Sequence, residues 1–286
     1  MNPRSLLAIM LAGGIRRSPL ATALEVPTLC VPLRADRTLL DIWLDALAAS
    51  PCAAVLIVVT EPADVDPLEV ELARSAETRP GIAARVIVDP RPWRGTAGVV
   101  RDVVTAESHD GWCAVIEVSC PPPAGLDALW VEVAASEDGC IGVSGAREPA
   151  GQLVLPRAAI DHVPEIGFFD LKEQLLPALA AAGRGVTAVE VCRRAHRIRD
   201  RRTLLAAIAA PGDGAPVDAR GSVVAPSASI GPAAFVSESV VMGGAVIPDG
   251  AIVSRSIIGP GVILASDARI VDAVVGPHVT TALAPA

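Results

Sequence analysis

The chain has 286 residues, and its 24 basic and 32 acidic residues give a formal net charge of −8. This acidic balance excludes a general nucleic-acid binder, which would carry a basic excess. Lys172 is the single lysine and tyrosine is absent, which excludes mechanisms that need two lysines or a tyrosine acid.

The first two-thirds of the sequence alternates short apolar runs with helical patterns. Apolar runs of strand length occupy 6–12, 53–59, 84–88, 113–118, 140–143 and 186–191. Apolar residues at helical spacing occupy 39–49, 67–75, 97–106, 125–135, 170–182 and 201–209. Apolar strands separated by helices predict an α/β fold, in which helices cover both faces of a mostly parallel sheet. Ligands of such sheets bind at the carboxyl ends of the strands.

The apolar run 6–12 faintly resembles a secretory signal peptide, but it continues into Gly13-Gly14 and Arg16-Arg17 without a cleavage site. We therefore expect a buried first strand. No apolar run is long enough for a transmembrane helix, so no membrane partner is expected. The six cysteines form no CxxC pair, which is typical of buried thiols in a reducing cytoplasm, and the four scattered histidines lack metal-ligand spacing.

Residues 210–216 are rich in Pro and Gly and predict a linker between a domain at 1–209 and a tail at 217–286. The tail aligns with itself as a series of 17-residue repeats, which places aliphatic residues in three columns. The columns contain Val224, Val241, Ile258 and Val275; Ile230, Ile247 and Leu264; and Val236, Val253 and Ile270. Each repeat is therefore expected to form one three-sided coil, stacked on the next. This pattern resembles the hexapeptide-repeat, left-handed parallel β-helix.

Several motifs of the first domain occur in an order that is typical of one enzyme family. They are Leu11-Ala12-Gly13-Gly14, residues 27–33, Thr38-Leu39-Leu40-Asp41, Arg94-Gly95-Thr96-Ala97-Gly98 and residues 169–174. Together with the tail, they resemble the sugar-phosphate nucleotidylyltransferases, or nucleotide-sugar pyrophosphorylases. The resemblance implies a Rossmann-like nucleotidyltransferase (GT-A-like) three-layer domain, followed by a short left-handed parallel β-helix.

The same resemblance implies where a nucleotide binds. In that family a glycine-rich loop after the first strand holds a nucleoside triphosphate, because glycines let backbone amides approach phosphates, and a second loop contacts the base. The nucleotide-binding residues expected here are Ala12, Gly13, Gly14, Arg16, Arg17, Gly95, Thr96, Ala97 and Gly98. Plainer interpretations remain open: Gly13-Gly14 is only a tight turn, 95–98 only begins a helix, and the two arginines are ordinary surface charges.

The chain departs from the family pattern at the catalytic positions. Its first loop lacks the Gly-Thr pair of the family, and Thr28 stands where the family has a phosphate-binding lysine. Ser119 and Arg197 stand at the two positions of the magnesium-binding aspartates. Nucleotidyl transfer joins two polyanions, so these losses predict that catalysis is lost or greatly weakened. The remaining catalytic candidates are Arg16, as a phosphate clamp, and Glu117, which lies two residues before Ser119.

Three further residues need an interpretation. Arg197 and Arg199 belong to a basic run at 193–202 and are anion-binding candidates, with a solvated face as the alternative. Ser119 is expected to be an ordinary strand-end residue, because no base lies near it in the sequence. Lys172 is expected to be a surface residue.

Three functions are compatible with these features. The first is a regulatory or inactive family member, a pseudoenzyme that binds a nucleotide or nucleotide sugar and has an active paralogue as a potential partner. The second is an active pyrophosphorylase that makes a nucleotide sugar from a nucleoside triphosphate and a sugar 1-phosphate, with magnesium as cofactor. The third is a structural protein without a ligand. We expect no cofactor under the first and third, and a cytoplasmic homo-oligomer under all three.

Overall fold

The computed structural model describes residues 6–13, 17–35, 37–78, 82–210, 218 and 220–277. These residues form two compact units. The first unit contains the described residues of 1–16 and 43–195, and the second contains those of 17–42 and 196–286. The linker predicted at 210–216 lies outside the described residues, apart from Ala210.

Strands and helices alternate through the first two-thirds of the chain, and short strands follow. The described strands are β1 Leu6–Leu11, β2 Pro32–Arg34, β3 Arg37–Thr38, β4 Cys52–Val59, β5 Ala83–Val88, β6 Trp112–Glu117, β7 Gly139–Ser144, β8 Pro149–Pro156, β9 Val186–Cys192, β10 Val223–Val224, β11 Ser229–Ile230, β12 Phe235–Ser237, β13 Val240–Val241, β14 Val246–Ile247, β15 Ile252–Ser254, β16 Ile257–Ile258, β17 Arg269–Val271 and β18 Val274–Val275. The described α-helices are α1 Pro19–Leu24, α2 Leu39–Ala48, α3 Val65–Thr78, α4 Gly95–Ala106, α5 Leu126–Ala135, α6 Arg157–Ile160, α7 Leu176–Ala181 and α8 Arg201–Ala209. A π-helical turn, Leu171–Leu175, precedes α7, and 3₁₀ turns occupy Thr28–Cys30 and Pro62–Asp64. Among the described residues, no helix combines the length and the apolar composition needed to cross a membrane.

Seven strands of the first unit form one sheet in the order β5-β4-β1-β6-β8-β7-β9. The pairings β5–β4, β4–β1, β1–β6 and β7–β9 are parallel. β8 is antiparallel to both of its neighbours, β6 and β7. The predicted α/β fold with a large, mostly parallel sheet is therefore confirmed.

The central strand β1 is buried from both sides. Leu7 and Ile9 pack in one cluster with Val100 and Val103 of α4. Ala8 and Met10 are fully buried as well, and the alternation of side chains along a strand directs them to the opposite face. Burial on both faces explains why this strand is an uninterrupted apolar run in the sequence.

β8 is a strand that the apolar pattern does not predict. Its sequence includes Gly151 and Gln152, which interrupt the apolar run. It follows β7 through the short turn 145–148, in which Arg147 adopts a positive φ of 64°. A turn of this length cannot contain a crossover helix, so the two strands pair in an antiparallel arrangement.

The strands of the C-terminal part pair in parallel at a constant 17-residue offset. β10, β13, β16 and β18 form one ladder, β11 and β14 a second, and β12, β15 and β17 a third. The side chains that the three ladders enclose are aliphatic, and those of Val241, Ile247, Val253 and Ile258 are fully buried. Each successive repeat thus contributes in turn to the three ladders.

The first of these ladders is covered on its outer side as well. Val240 and Ile257 are fully buried although they alternate with the enclosed residues. Segment 17–42 of the same unit supplies the cover: α1 contacts β18, and β2 contacts β10. The packing is close, since a Cβ on Gly276 would lie 1.9 Å from the carbonyl oxygen of Ala23.

Candidate functional site

The order of strands in the first unit identifies one crevice. β1 lies between β4 on one side and β6 on the other, so the direction of the strand order reverses at β1. In open parallel sheets, ligands bind outside the carboxyl ends of the strands at such a reversal. The segments that follow β1 and β6 flank this crevice, and they are neighbours because Leu11 pairs with Glu117.

The segment after β1 approaches the neighbouring strand end very closely. The amide of Ala12 donates to the carbonyl oxygen of Val58 at 2.8 Å, so this amide continues the hydrogen bonding between β1 and β4. A Cβ on Gly13 would lie 2.0 Å from Thr60 Oγ1 and 2.5 Å from the Thr60 backbone nitrogen. Only glycine fits there without a shift of the backbone. Gly14 and Arg16, both predicted to bind a nucleotide, lie outside the described residues.

Three polar side chains converge where β6 ends. The hydroxyl of Ser119 donates to Glu117 Oε1 at 2.9 Å, and Lys172 Nζ lies 3.4 Å from Glu117 Oε2. The side chain of Lys172 is 54% exposed and that of Glu117 is 31% exposed. The single lysine of the chain therefore lies beside the strand end at which the family resemblance places its metal site.

The backbone of Lys172 is fixed by a capped turn. The carboxylate of Asp170 accepts hydrogen bonds from the amides of Lys172 and Glu173 at 2.8 and 3.0 Å, and from Thr96 Oγ1 at 2.8 Å. Partial burial opposes ionisation of Asp170, but these hydrogen bonds outweigh it and hold the pKa of the carboxyl below its ordinary value. Lys172 is thus held in the π-helical turn 171–175, a type of turn that is frequent at functional sites.

The start of α4, which is the predicted second loop, is bonded to segment 164–171. The amides of Ala97 and Gly98 donate to the carbonyl oxygen of Phe169 at 3.0 and 3.2 Å. Gly95 has a φ of +73°, and a Cβ there would lie 2.6 Å from the same oxygen. Thr96 Oγ1 accepts from the amide of Leu171 at 3.0 Å. The polar groups of this loop therefore hold the turn that carries Lys172.

Arg94 anchors the same contact. Its side chain is buried, and the guanidinium donates to Asp102 Oδ2 at 3.2 Å, to the Pro164 carbonyl oxygen at 2.8 Å and to the Gly167 carbonyl oxygen. A guanidinium with these partners is a structural anchor, because its donors face protein acceptors on several sides.

Trp93 is a residue that the sequence motifs do not single out. It lies between β5 and α4, its φ is +70°, and 75% of the residue is exposed. A positive φ is strained for a bulky residue, and such strain is concentrated at functional sites. Ile166 and Phe168 are also exposed. The signal available in the sequence was the position of a tryptophan directly before the Arg94–Gly98 motif in a chain with four tryptophans.

Comparison with models of known protein families gives no match, and comparison with curated proteins gives no significant match. Function is therefore inferred from the chemistry of the site.

The side chains present do not fit a bound magnesium ion. Among the described residues, no group of three or more His, Cys, Asp or Glu side chains could hold a metal. Glu117 is the carboxylate nearest to the expected metal position, and a hydroxyl and an ammonium already lie against its two oxygens. A hard divalent cation requires oxygen ligands and would be repelled by that ammonium.

The remaining predicted residues belong to the second unit. Arg17, Thr28 and Arg197 are half-buried there, and Arg199 is exposed. The amide of Arg199 donates to Thr203 Oγ1 at 3.0 Å, and its carbonyl oxygen accepts from Leu20 at 3.2 Å. The backbone of Arg199 thus joins the start of α8 to α1, and anion binding by Arg197 and Arg199 stays a prediction.

The buried thiols contribute no nucleophile to the site. Burial raises the pKa of Cys113 to about 12 and that of Cys140 to about 11. Only the thiolate is a strong nucleophile, so both residues are chemically inert near neutral pH. None of the six cysteines, all of which lie in described segments, forms a disulfide there.

Proposed function

We propose that the chain is a sugar-phosphate nucleotidylyltransferase-like protein that binds a nucleotide or nucleotide sugar and has lost nucleotidyl transfer, or retains very little of it. The observation that carries the proposal is the strand-order reversal at β1: Gly13 closes on Thr60 after β1, and Glu117, Ser119 and Lys172 meet at the end of the neighbouring strand β6. Parallel sheets bind phosphate-bearing ligands at such crevices.

The same edge of the sheet offers an aromatic surface for a base. β5, β4 and β1 are adjacent, so the segments after β5 and β1 are two strand spacings apart, about 10 Å. A nucleotide whose phosphates lie beside Gly13 has its base in reach of the exposed indole of Trp93. Stacking of a base on an aromatic side chain contributes about 1–3 kcal/mol. We therefore assign the base contact to Trp93, while the amides of Ala97 and Gly98 bond to Phe169.

Weak or absent catalysis follows from the charges that the site lacks. Thr28, Ser119 and Arg197 stand at the three positions where the family resemblance implies a lysine and two aspartates. Among the described residues, no group of three or more His, Cys, Asp or Glu side chains could hold a metal in their place. Such a site favours a regulatory role, with an active paralogue as the partner.

For the second unit we propose a short left-handed parallel β-helix that mediates homo-oligomerisation in the cytoplasm. Its support is the parallel pairing at a 17-residue offset in three ladders. Phe235, Ile263 and Val271 present exposed apolar side chains on this unit. Exposed apolar groups on flat ladders are suited to association with a second copy.

The test is a thermal-shift panel of nucleoside triphosphates and nucleotide sugars, run beside a magnesium-dependent assay of pyrophosphate release. A ligand at a hundredfold its Kd stabilises the folded protein by about 2.7 kcal/mol, which a melting curve detects. We expect stabilisation without turnover. Turnover that Glu117→Gln abolishes would instead establish the active enzyme, and the absence of any shift would favour the structural role.

A pair of variants tests the base contact. Trp93→Ala removes the exposed indole and should lower nucleotide affinity by about five- to a hundredfold, as expected for a lost stacking contact. The matched control is Val70→Ala, which removes another exposed apolar side chain of the first unit, on α3. Equal affinities of the two variants would contradict the assignment of Trp93.

A further inference from the structure

We propose that Lys172 takes the place of a metal ion in this crevice and binds the ligand phosphate, so that nucleotide binding does not require magnesium. The inference rests on the proposed function and adds to it the cation on which binding depends.

The position of the lysine supports this role. Glu117 is the last residue of β6 and pairs with Leu11, the last residue of β1. Lys172 Nζ lies 3.4 Å from Glu117 Oε2, so the ammonium is at the edge of the crevice that the segment after β1 also flanks. The lysine therefore lies beside the end of the strand that pairs with β1, and Gly13, where the phosphates are proposed to bind, follows two residues after the last residue of β1.

The contact with Glu117 is a weak one. A separation of 3.4 Å exceeds the usual 2.7–2.9 Å of an ammonium–carboxylate hydrogen bond. An ammonium has three donors, and the contact with Glu117 uses one. With 54% of its side chain exposed, Lys172 can turn from the carboxylate to a phosphate at little cost.

The backbone beneath the lysine is held firmly, unlike its side chain. Asp170 accepts hydrogen bonds from the Lys172 amide and from Thr96, and Phe169 accepts from the start of α4. The Cα of Lys172 is thus fixed by the cap of its own turn and by the contacts of that turn with the start of α4. A fixed Cα and a mobile ammonium suit a phosphate-binding residue, because the ammonium reaches one small region of space.

The neighbouring hydroxyl completes the site. Ser119 donates to Glu117 at 2.9 Å, and a hydroxyl can rotate to donate to a phosphate instead. A phosphate at this position would receive donors from both Lys172 and Ser119. A magnesium ion at the same position would lie against the ammonium, so the lysine and the metal exclude each other.

The experiment measures the binding of ATP, GTP, CTP, UTP and UDP-glucose by calorimetry, once with magnesium and once with EDTA. The wild-type chain should bind in both buffers with affinities within threefold of each other. Lys172→Met should lose about tenfold to a hundredfold in both buffers, the value of a charge-assisted hydrogen bond. Lys172→Arg should retain most of the affinity, because the guanidinium is also a phosphate donor.

Two controls accompany these variants. Arg184→Met makes the same change of charge in the same unit, but beside the amino end of β9, at the opposite edge of the sheet. It should bind within twofold of the wild type. Glu117→Gln removes a carboxylate that competes for Lys172 and repels phosphate, so its affinity should exceed that of the wild type.

The outcomes separate this inference from the proposed function. Wild-type binding that disappears in EDTA, or Lys172→Met that binds as the wild type does, would overturn the role of the lysine and leave nucleotide binding established. Weaker binding by Glu117→Gln in magnesium alone would assign Glu117 to a metal and overturn the inference. No binding of any of these nucleotides in either buffer would overturn the proposed function itself. Unchanged melting of Lys172→Met, expected for a half-exposed pair, shows that the variant is folded.

Discussion

Polar side chains are organised differently in the two units. In the second unit the contacts recur every 17 residues: Ser222 accepts from the amide of Ser239 at 3.2 Å, Ser239 from Ser256 at 3.1 Å, and Ser256 from Ala273 at 3.1 Å. In the first unit, Lys172 contacts Glu117 and Thr96 contacts Asp170, which are 55 and 74 residues away in the sequence.

This difference distinguishes polar contacts that the fold requires from polar contacts that it does not require. Successive 17-residue repeats that pair in the same way need the same hydrogen bond in each repeat. A contact that recurs every 17 residues therefore follows from the fold alone. No repeat explains the group of Glu117, Ser119 and Lys172. A partly exposed ion pair also contributes little to stability. We propose that a ligand accounts for this group, and each prediction below tests that proposal.

The largest effect is expected at Gly13. In Gly13→Ala the new Cβ would lie 2.5 Å from the Thr60 backbone nitrogen, which no change of rotamer relieves. The cost should reach or exceed the upper part of the usual overpacking range, about 3 kcal/mol. Unfolding in urea, followed by the fluorescence of the first unit, measures it.

The control for Gly13→Ala is Gly185→Ala in the same unit. A Cβ on Gly185 would have Asp138 Oδ2 at 3.6 Å, an ordinary contact distance. That variant should be neutral or slightly more stable, because alanine restricts the unfolded chain. Equal stability of the two variants would mean that the segment after β1 is not constrained. The close contact of Gly13 with Thr60, on which the proposed site depends, would then not be supported.

Two serines provide the next test. Ser256 is fully buried, and Ser256→Ala would leave the amide of Ala273 without its acceptor, at a cost of about 1–3 kcal/mol. Ser119→Ala should leave stability within about 0.5 kcal/mol and weaken nucleotide binding instead. Urea unfolding and calorimetry measure the two effects, and hydrogen exchange at the Ala273 amide localises the first. Destabilisation by Ser119→Ala as large as that by Ser256→Ala would remove the distinction between the two units.

A third prediction concerns acid. The pKa of Asp170 is lowered in the folded state, because hydrogen bonds from Glu173, Thr96 and Lys172 outweigh the effect of partial burial. The stabilisation is therefore complete above the ordinary aspartate pKa, about 4, and is lost as the pH falls through the lower pKa of the folded state. Asp170→Asn should be less stable than the wild type at pH 7, and the difference should shrink below about pH 4. A difference that is constant from pH 7 to about pH 3 would show that these hydrogen bonds do not depend on the charge.

The sequence predicts the sheet well where burial dominates. β1, β4 and β6 are nearly continuous apolar runs because both of their faces are covered, and that composition is visible without a structure. The π-helical turn 171–175 was predicted as part of a helix at 170–182, since apolar spacing does not distinguish the two. β8 was not predicted, because Gly151 and Gln152 weaken its pattern and its pairing depends on a turn.

The site is only partly visible in the sequence, for a different physical reason. The glycine after the first strand could be singled out from the sequence, but its close approach to Thr60 could not, because Thr60 follows a different strand. The contact of Lys172 with Glu117 could not be predicted, since it joins two residues that are 55 positions apart in the sequence. The bond from Phe169 to the start of α4 likewise depends on two segments that are remote in sequence.

The smallest effect is expected at Asp272, on the surface of the second unit. Arg255 donates to Asp272 Oδ2 at 2.7 Å, and this hydrogen bond lowers the pKa of the carboxyl. Both side chains are about half exposed, so Asp272→Asn should not shift the melting temperature measurably, in low salt or at about 1 M salt, where the Debye length is about 3 Å.

The reason lies in the column to which Asp272 belongs. The same turn of each 17-residue repeat is occupied by a residue with a positive φ, between 46° and 72°. These residues are Gly221, Glu238, Arg255 and Asp272. Four different side chains in one backbone conformation mean that the stack requires the turn and tolerates many residues there. Clear destabilisation by Asp272→Asn would contradict this tolerance, because it would show that the fold needs the ion pair on the surface of the second unit. Such destabilisation would also remove the difference between the polar contacts of the two units.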